Sequence, residues 1–162
     1  GAPFWSWHRL QSWQIQRAGD KVEKSAVFLM FSGKNHGRAK EAIDFYTGLF
    51  DNSRIDSVEL FPEDPSIIPG IPPAAAGTVK RAEFTVCGRE FMAHDSFIDH
   101  AFNFTPSVSL FIDFSDAERL KTVHAALTTG GRELMPVGNY GFSQLFSWVE
   151  DRYGVSWQLN VP

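Results

Sequence analysis

Short apolar runs and one-sided helical stripes follow each other along the chain in an order that occurs twice. Residues 26–31 form an apolar run of strand length. Residues 32–37 are loop material. Residues 38–50 predict a helix, with Ala39, Ala42, Ile43, Tyr46 and Leu49 on one stripe, and Asp51-Asn52 ends it. Residues 53–61 read as a strand through Ile55, Val58 and Leu60. Residues 62–77 are too rich in Pro and Ala for one. Residues 78–86 and 90–95 then predict a hairpin turning at Cys87-Gly88.

The second half repeats the plan. Residues 107–114 alternate as a strand, with Val108, Leu110, Ile112 and Phe114 on one face. Ser115-Asp116-Ala117-Glu118 reads as a capping box opening a helix that stops at Gly130-Gly131. Residues 132–137 form a strand, residues 138–142 a loop, and residues 143–149 and 155–161 a hairpin across Asp151–Gly154. Each half is thus strand, helix and three strands, which makes the chain α+β. One βαβββ half alone leaves a sheet face and edges uncovered, so two halves are expected to pair around a shared pocket. The expected division is an N-terminal extension (residues 1–24), a first module (25–105) and a second (106–162).

Composition narrows the class. The 162 residues suit one domain or two small modules sharing a core, and 15 Phe with 5 Trp can fill that core or line a cavity. A net charge of −4 implies no basic surface for nucleic acid. No apolar run approaches the ~20 residues of a membrane span, so a soluble protein is expected. Cys87 is the only cysteine, which excludes an internal disulfide or a cysteine-built zinc site and fits a reducing, cytoplasmic compartment. The first 19 residues carry three tryptophans and two arginines with no acid. They suit an interfacial or docking helix or part of a targeting sequence. The plainer reading, which we prefer, is an expression-derived or flexible extension outside the fold.

Several stretches carry a family resemblance. They are residues 28–33, residues 41–50 (Glu-Ala-Ile-Asp-Phe-Tyr-Thr-Gly-Leu-Phe), residues 104–111, residues 135–143, and, most specifically, residues 148–159 (Trp-Val-Glu-Asp-Arg-Tyr-Gly-Val-Ser-Trp-Gln-Leu). Together they resemble PhnB-like proteins of the glyoxalase, bleomycin resistance and extradiol dioxygenase superfamily, the vicinal oxygen chelate fold. The resemblance covers residues 26–162. It implies paired βαβββ modules forming an open, curved mixed sheet, and a homodimer. Many such sequences are labelled 3-demethylubiquinone 3-methyltransferase. A methyl-donor site on a Rossmann-type sheet would need a glycine-rich strand-to-helix turn, and the sequence has none.

In active members of that superfamily, inward-facing His, Glu or Gln side chains hold a divalent ion that polarises substrate oxygens. Aligning the hairpins on Gly88 and Gly154 matches Glu90 with Ser156, Met92 with Gln158 and His94 with Asn160. Alternation then turns Glu90, Met92, His94, Ser156, Gln158 and Asn160 into the pocket. The usual glutamate positions hold Met92 and Gln158, and the first strands offer Ala26 or Phe28, and Ser107 or Ser109. Thioether, phenyl and hydroxyl groups are poor ligands, so the family's metal site reads as dismantled and no cofactor is expected. A displaced site around Glu90, His94 and Gln158 is the alternative; a one-residue slip would bring in Asp95 or His100. Glu90 and His94 are also the candidate metal-free acid–base pair. Phe28, Met30, Phe111, Phe146 and Trp148 are candidates for an apolar wall, and Tyr140 for a loop over its mouth. His36 and His100 read as surface residues, and Cys87 as a turn residue rather than a nucleophile.

The expected function is therefore binding of a small apolar or aromatic molecule between the modules of a homodimer, with neither nucleic acid nor membrane as partner. The alternatives are a metal-dependent lyase, isomerase or dioxygenase, and a protein whose self-association is itself the function.

Overall fold

A computed structural model describes residues 23–162. The tryptophan-rich stretch therefore lies outside the described residues. The first module runs β1 (Val27–Phe31), α1 (Ala39–Leu49), β2 (Arg54–Leu60), β3 (Val79–Val86) and β4 (Arg89–Asp95). The second runs β5 (Ser109–Asp113), α2 (Ala117–Thr128), β6 (Arg132–Gly138), β7 (Leu145–Glu150) and β8 (Ser156–Val161). The sheets have the equivalent orders β1-β4-β3-β2 and β5-β8-β7-β6, each with one parallel pair and two antiparallel pairs.

Local chemistry accounts for the boundaries. In the β3–β4 hairpin Cys87 and Gly88 both take positive φ (51° and 77°), the left-handed pair that lets a two-residue turn match the strand twist. Helix α1 has no side-chain cap of its own. The Asp95 carboxylate, reaching over from the end of β4, accepts the amides of Gly37 and Ala39 at 2.9 and 3.2 Å and that of Val79 at 2.9 Å. At α2 the cap is Asp116, whose carboxylate accepts from Glu118 N at 2.9 Å, so the expected Ser115 box is corrected by one residue. The Asp116 carboxylate is a good acceptor for the free amides of a first turn. The proline-rich stretch contains two 3₁₀ turns, Pro65–Ile67 and Pro73–Ala75, and folds over Phe61 and Ile71 as a small satellite core.

One continuous core joins the modules. It gathers Leu29, Phe31, Ile43, Tyr46, Phe84 and Phe91 from the first with Leu120, Val123, Val149, Trp157 and Leu159 from the second. Trp157, fully buried on β8, stacks on Phe50 at 5.0 Å and lies 5.1 Å from the Tyr46 ring. Polar ties cross the same seam. Tyr46 Oη donates to Asp151 Oδ2 (2.5 Å), Asn35 Nδ2 to the Tyr153 carbonyl (2.7 Å), Tyr153 Oη to Glu41 (3.0 Å), and Arg119 to the Leu49 carbonyl. The two halves therefore pair within one chain through their helical sides, which corrects the expectation of a pocket shared between them: packed core fills the seam, and the faces expected to line the pocket turn away from it.

Candidate functional site

Strand register shows which side chains share the face turned away from the helices. In the first sheet Phe28 lies beside Met92, which lies beside Glu83, and Met30 lies beside His94. Glu90 follows on the same face, beside Thr85. Leu29, Phe31, Phe91 and Ala93 occupy the other face, in the core. The expected parity of Glu90, Met92 and His94 is thus the one the strand adopts. No slip brings in Asp95, which is fully buried on the core side.

The second sheet repeats this arrangement in three cross-strand rows. Ser109, Ser156, Glu150 and Arg132 form one; Phe111, Gln158, Trp148 and Met135 the next; Asp113, Asn160, Phe146 and Gly138 the third. Hydrogen bonds fix the first and third rows. Ser109 and Ser156 hydroxyls are 2.7 Å apart, Trp148 Nε1 donates to Ser156 Oγ at 2.8 Å, and Asn160 Nδ2 donates to Asp113 Oδ1 at 2.8 Å. Over the third row the β6–β7 loop lays Tyr140 and Phe142 against Phe146, at 6.0 and 4.9 Å between ring centroids. Tyr140 Oη donates to the Pro136 carbonyl at 2.6 Å, which fixes the loop.

These faces are open in part: Met92, His94, Phe146, Ser156 and Asn160 on them are buried, while several aromatic rings are not. Phe28 is 41% exposed, Phe111 53% and Phe142 63%, although each stands on or over a sheet. Between the edge strands β1 and β5 lies a cleft of about 810 Å³, with Ala26, Val27 and Glu90 on one side and Ser109, Phe111 and Trp157 on the other. A smaller hollow of about 230 Å³ lies beside it, between Glu90, Met92, Glu83 and Asp56. The structure brings Glu90, Ser109 and Phe111 together at the cleft. Met30, Met92 and His94 remain along the first sheet, and Tyr140, Trp148, Gln158 and Asn160 along the second.

His94 is buried, and its Nδ1 donates to the Lys80 carbonyl at 2.7 Å, with its ring against Phe61. Burial pushes its pKa down, which favours the neutral imidazole. Glu90 and His94 share a face but stand four residues apart on one strand, about 13 Å by strand rise. They cannot exchange a proton directly. Of the first-strand candidates for the superfamily's metal positions, Phe28 does lie beside Met92, but the neighbour of Gln158 is Phe111, which corrects the expected Ser107 or Ser109. Two phenyl rings, a thioether and an amide do not fit a divalent ion. Among the described residues no group of three or more His, Cys, Asp or Glu is placed to hold a metal.

Ser147, His124 and Glu133 are hydrogen-bonded in line, with Ser147 Oγ 3.0 Å from Nδ1 and Glu133 2.5 Å from Nε2. That order resembles a hydrolytic triad. Ser147 is fully buried on the helix side of β7, so its hydroxyl cannot meet a substrate, and the line clamps α2 to the sheet. His36 and His100 are half-buried rather than surface residues, and His100 stacks on Phe102 at 4.9 Å. Cys87 is an exposed free thiol; partial burial, then the charge of Asp51, push its pKa up and disfavour the thiolate. Asp113 is the residue of this face that the strand pattern could have supplied and did not. Once Leu110 and Ile112 are set inward, the same alternation puts Asp113 beside Phe111.

Two βαβββ modules with matching strand orders, each sheet backed by one helix, define the vicinal oxygen chelate class. The 3-demethylubiquinone-9 3-methyltransferase family matches residues 23–160, and the chain belongs to that family, the PhnB-like proteins. It is 44% identical to a solved structure described as a putative 3-demethylubiquinone-9 3-methyltransferase, PhnB protein, from Bacillus cereus. That likeness covers 86% of this chain and 100% of the other, with a TM-score of 0.76. A Pseudomonas aeruginosa protein is similar at 21% identity over 86% and 98% of the two chains, with a TM-score of 0.65. The fosfomycin resistance protein FosX from Listeria monocytogenes shares the fold at 9% identity over 87% and 93%, with a TM-score of 0.56. No curated protein matches the chain.

Proposed function

We propose that this chain binds a small apolar or aromatic molecule on the open faces of its two sheets, through packing and hydrogen bonds rather than through a divalent ion. The observation that carries this reading is the pairing of Phe28 with Met92 and Phe111 with Gln158. The fold offers inward positions for metal donors, and here they hold aromatic, thioether and amide groups. Those groups suit a flat ligand, and Ser109, Ser156, Gln158 and Asn160 add a few oriented polar contacts. The superfamily's metal-dependent chemistry is disfavoured by the ~13 Å between Glu90 and His94 and by the Lys80 carbonyl on His94 Nδ1.

The family's methyltransferase name has no counterpart in this geometry. Each sheet is mixed and four-stranded, whereas the methyl-donor crevice of a doubly wound fold lies at the carboxyl ends of a parallel sheet. A homodimer belongs to the same proposal. Exposed Phe28 and Phe111 call for cover, and a second copy would cover them while walling the pocket.

The test is a thermal-shift panel on metal-stripped protein. Neutral planar aromatics are measured beside Zn, Mn, Ni and Fe salts, with metal content measured for wild type and His94→Ala. The expected outcome is stabilisation by an aromatic compound, about 2.7 kcal/mol at a hundred times its Kd, with no metal retained. About one equivalent of metal, lost in His94→Ala, would overturn the proposal in favour of a metalloenzyme.

A further inference from the structure

The third row of the second sheet carries more than a wall. Asp113 is exposed at the end of β5 and accepts the Asn160 amide. Because a carboxylate only accepts, Nδ2 must be the Asn160 atom turned to it, which leaves Oδ1 as the outstanding acceptor. Asn160 is 92% buried by its 8% exposure, and its Oδ1 has no hydrogen-bond partner. A buried amide oxygen left without a donor is costly, and such groups mark places where a donor belongs. The exposed Asp113 carboxylate thus faces the nitrogen side of a buried amide whose oxygen, turned the other way in the row, is shielded and without a donor. Phe146 adjoins them in the row, Phe111 is 6.4 Å from Phe146, and Tyr140 and Phe142 close over it.

Charge at this end has one sign. On this face of the second sheet, among the described residues, the other charged groups are Glu150 and Arg132, which pair with each other two rows away. No cation of the sheet offsets Asp113. Aromatic faces attract cations, and a carboxylate receives N–H donors.

We infer that the Asp113–Asn160 end of the second sheet, under Tyr140 and Phe142, selects a planar aromatic cation whose N–H donors reach Asp113. This rests on the small-molecule binding proposed above for the open sheet faces and names the class of ligand at the third row of the second sheet, which lies outside the cleft between β1 and β5.

The test compares 9-aminoacridine, a cation at neutral pH, with uncharged acridine, by fluorescence titration of the full chain. Wild type is expected to bind the cation at least tenfold more tightly. Asp113→Asn should abolish that preference while leaving acridine unchanged, and Phe142→Ala should weaken both. Glu118→Gln, an equal loss of charge on the helical side, should change neither. Equal binding of the two compounds, or an Asp113→Asn variant that keeps the preference, overturns the cation inference and leaves the pocket standing. Binding of neither compound overturns it as well; if the neutral-aromatic panel is also blank, the pocket reading falls with it.

Discussion

In the sequence Asp151 reads as one residue of a turn. In the fold it is buried and accepts Tyr46 Oη, Trp157 Nε1 (2.9 Å) and the amides of Tyr153 and Val155 (2.9 and 3.0 Å). Burial outweighs these donors and raises its pKa above the ordinary carboxylate value. A raised acid binds a proton more readily folded than unfolded. Its contribution to stability is therefore present below the unfolded pKa and lost as pH rises through the folded one. Between pH 4 and pH 7, wild type should lose stability relative to Asp151→Asn, as read from urea midpoints; a difference that does not change with pH would contradict this. Tyr46→Phe leaves the buried carboxylate one donor short and should cost about 1–3 kcal/mol by the same measurement.

At the scale of elements, alternation and stripes were legible because they are local properties of the chain. The face shared by Glu90, Met92 and His94 on β4, and that shared by Ser156, Gln158 and Asn160 on β8, follow from period two, and the α1 stripe from period 3.6. Long-range contacts fixed what pattern could not. Gly131 looks like a helix terminator, yet a Cβ there would stand 2.1 Å from the Glu150 carbonyl oxygen, so β7 requires the bare backbone as much as the helix end does. Gly131→Ala should destabilise by about 1–3 kcal/mol in thermal melts, the clash outweighing the small gain from a stiffer unfolded chain. The cap falls on Asp116 rather than Ser115 because both residue types cap well, and one residue of competition between caps is not visible in a string.

For the whole molecule, one core runs through both modules, so unfolding should be a single transition despite the internal repeat. Assembly is the larger-scale prediction. Sedimentation of the full chain should show a dimer, and Phe111→Glu, a charge placed on the open face, should shift it toward monomer while leaving the helical core folded. A monomeric wild type would remove the dimer from the proposed function. The sequence by itself determined the repeated βαβββ order, the α+β class and the family, since periodicity, turn residues and the block at residues 148–159 are carried by near neighbours. Tertiary structure decided which side of each module faces the other. It paired Phe28 with Met92 and Phe111 with Gln158, buried Asp151 in the seam, and left Asn160 Oδ1 without a donor. Those facts depend on which distant strands become neighbours, and a pattern of period two repeats identically whichever strand lies alongside.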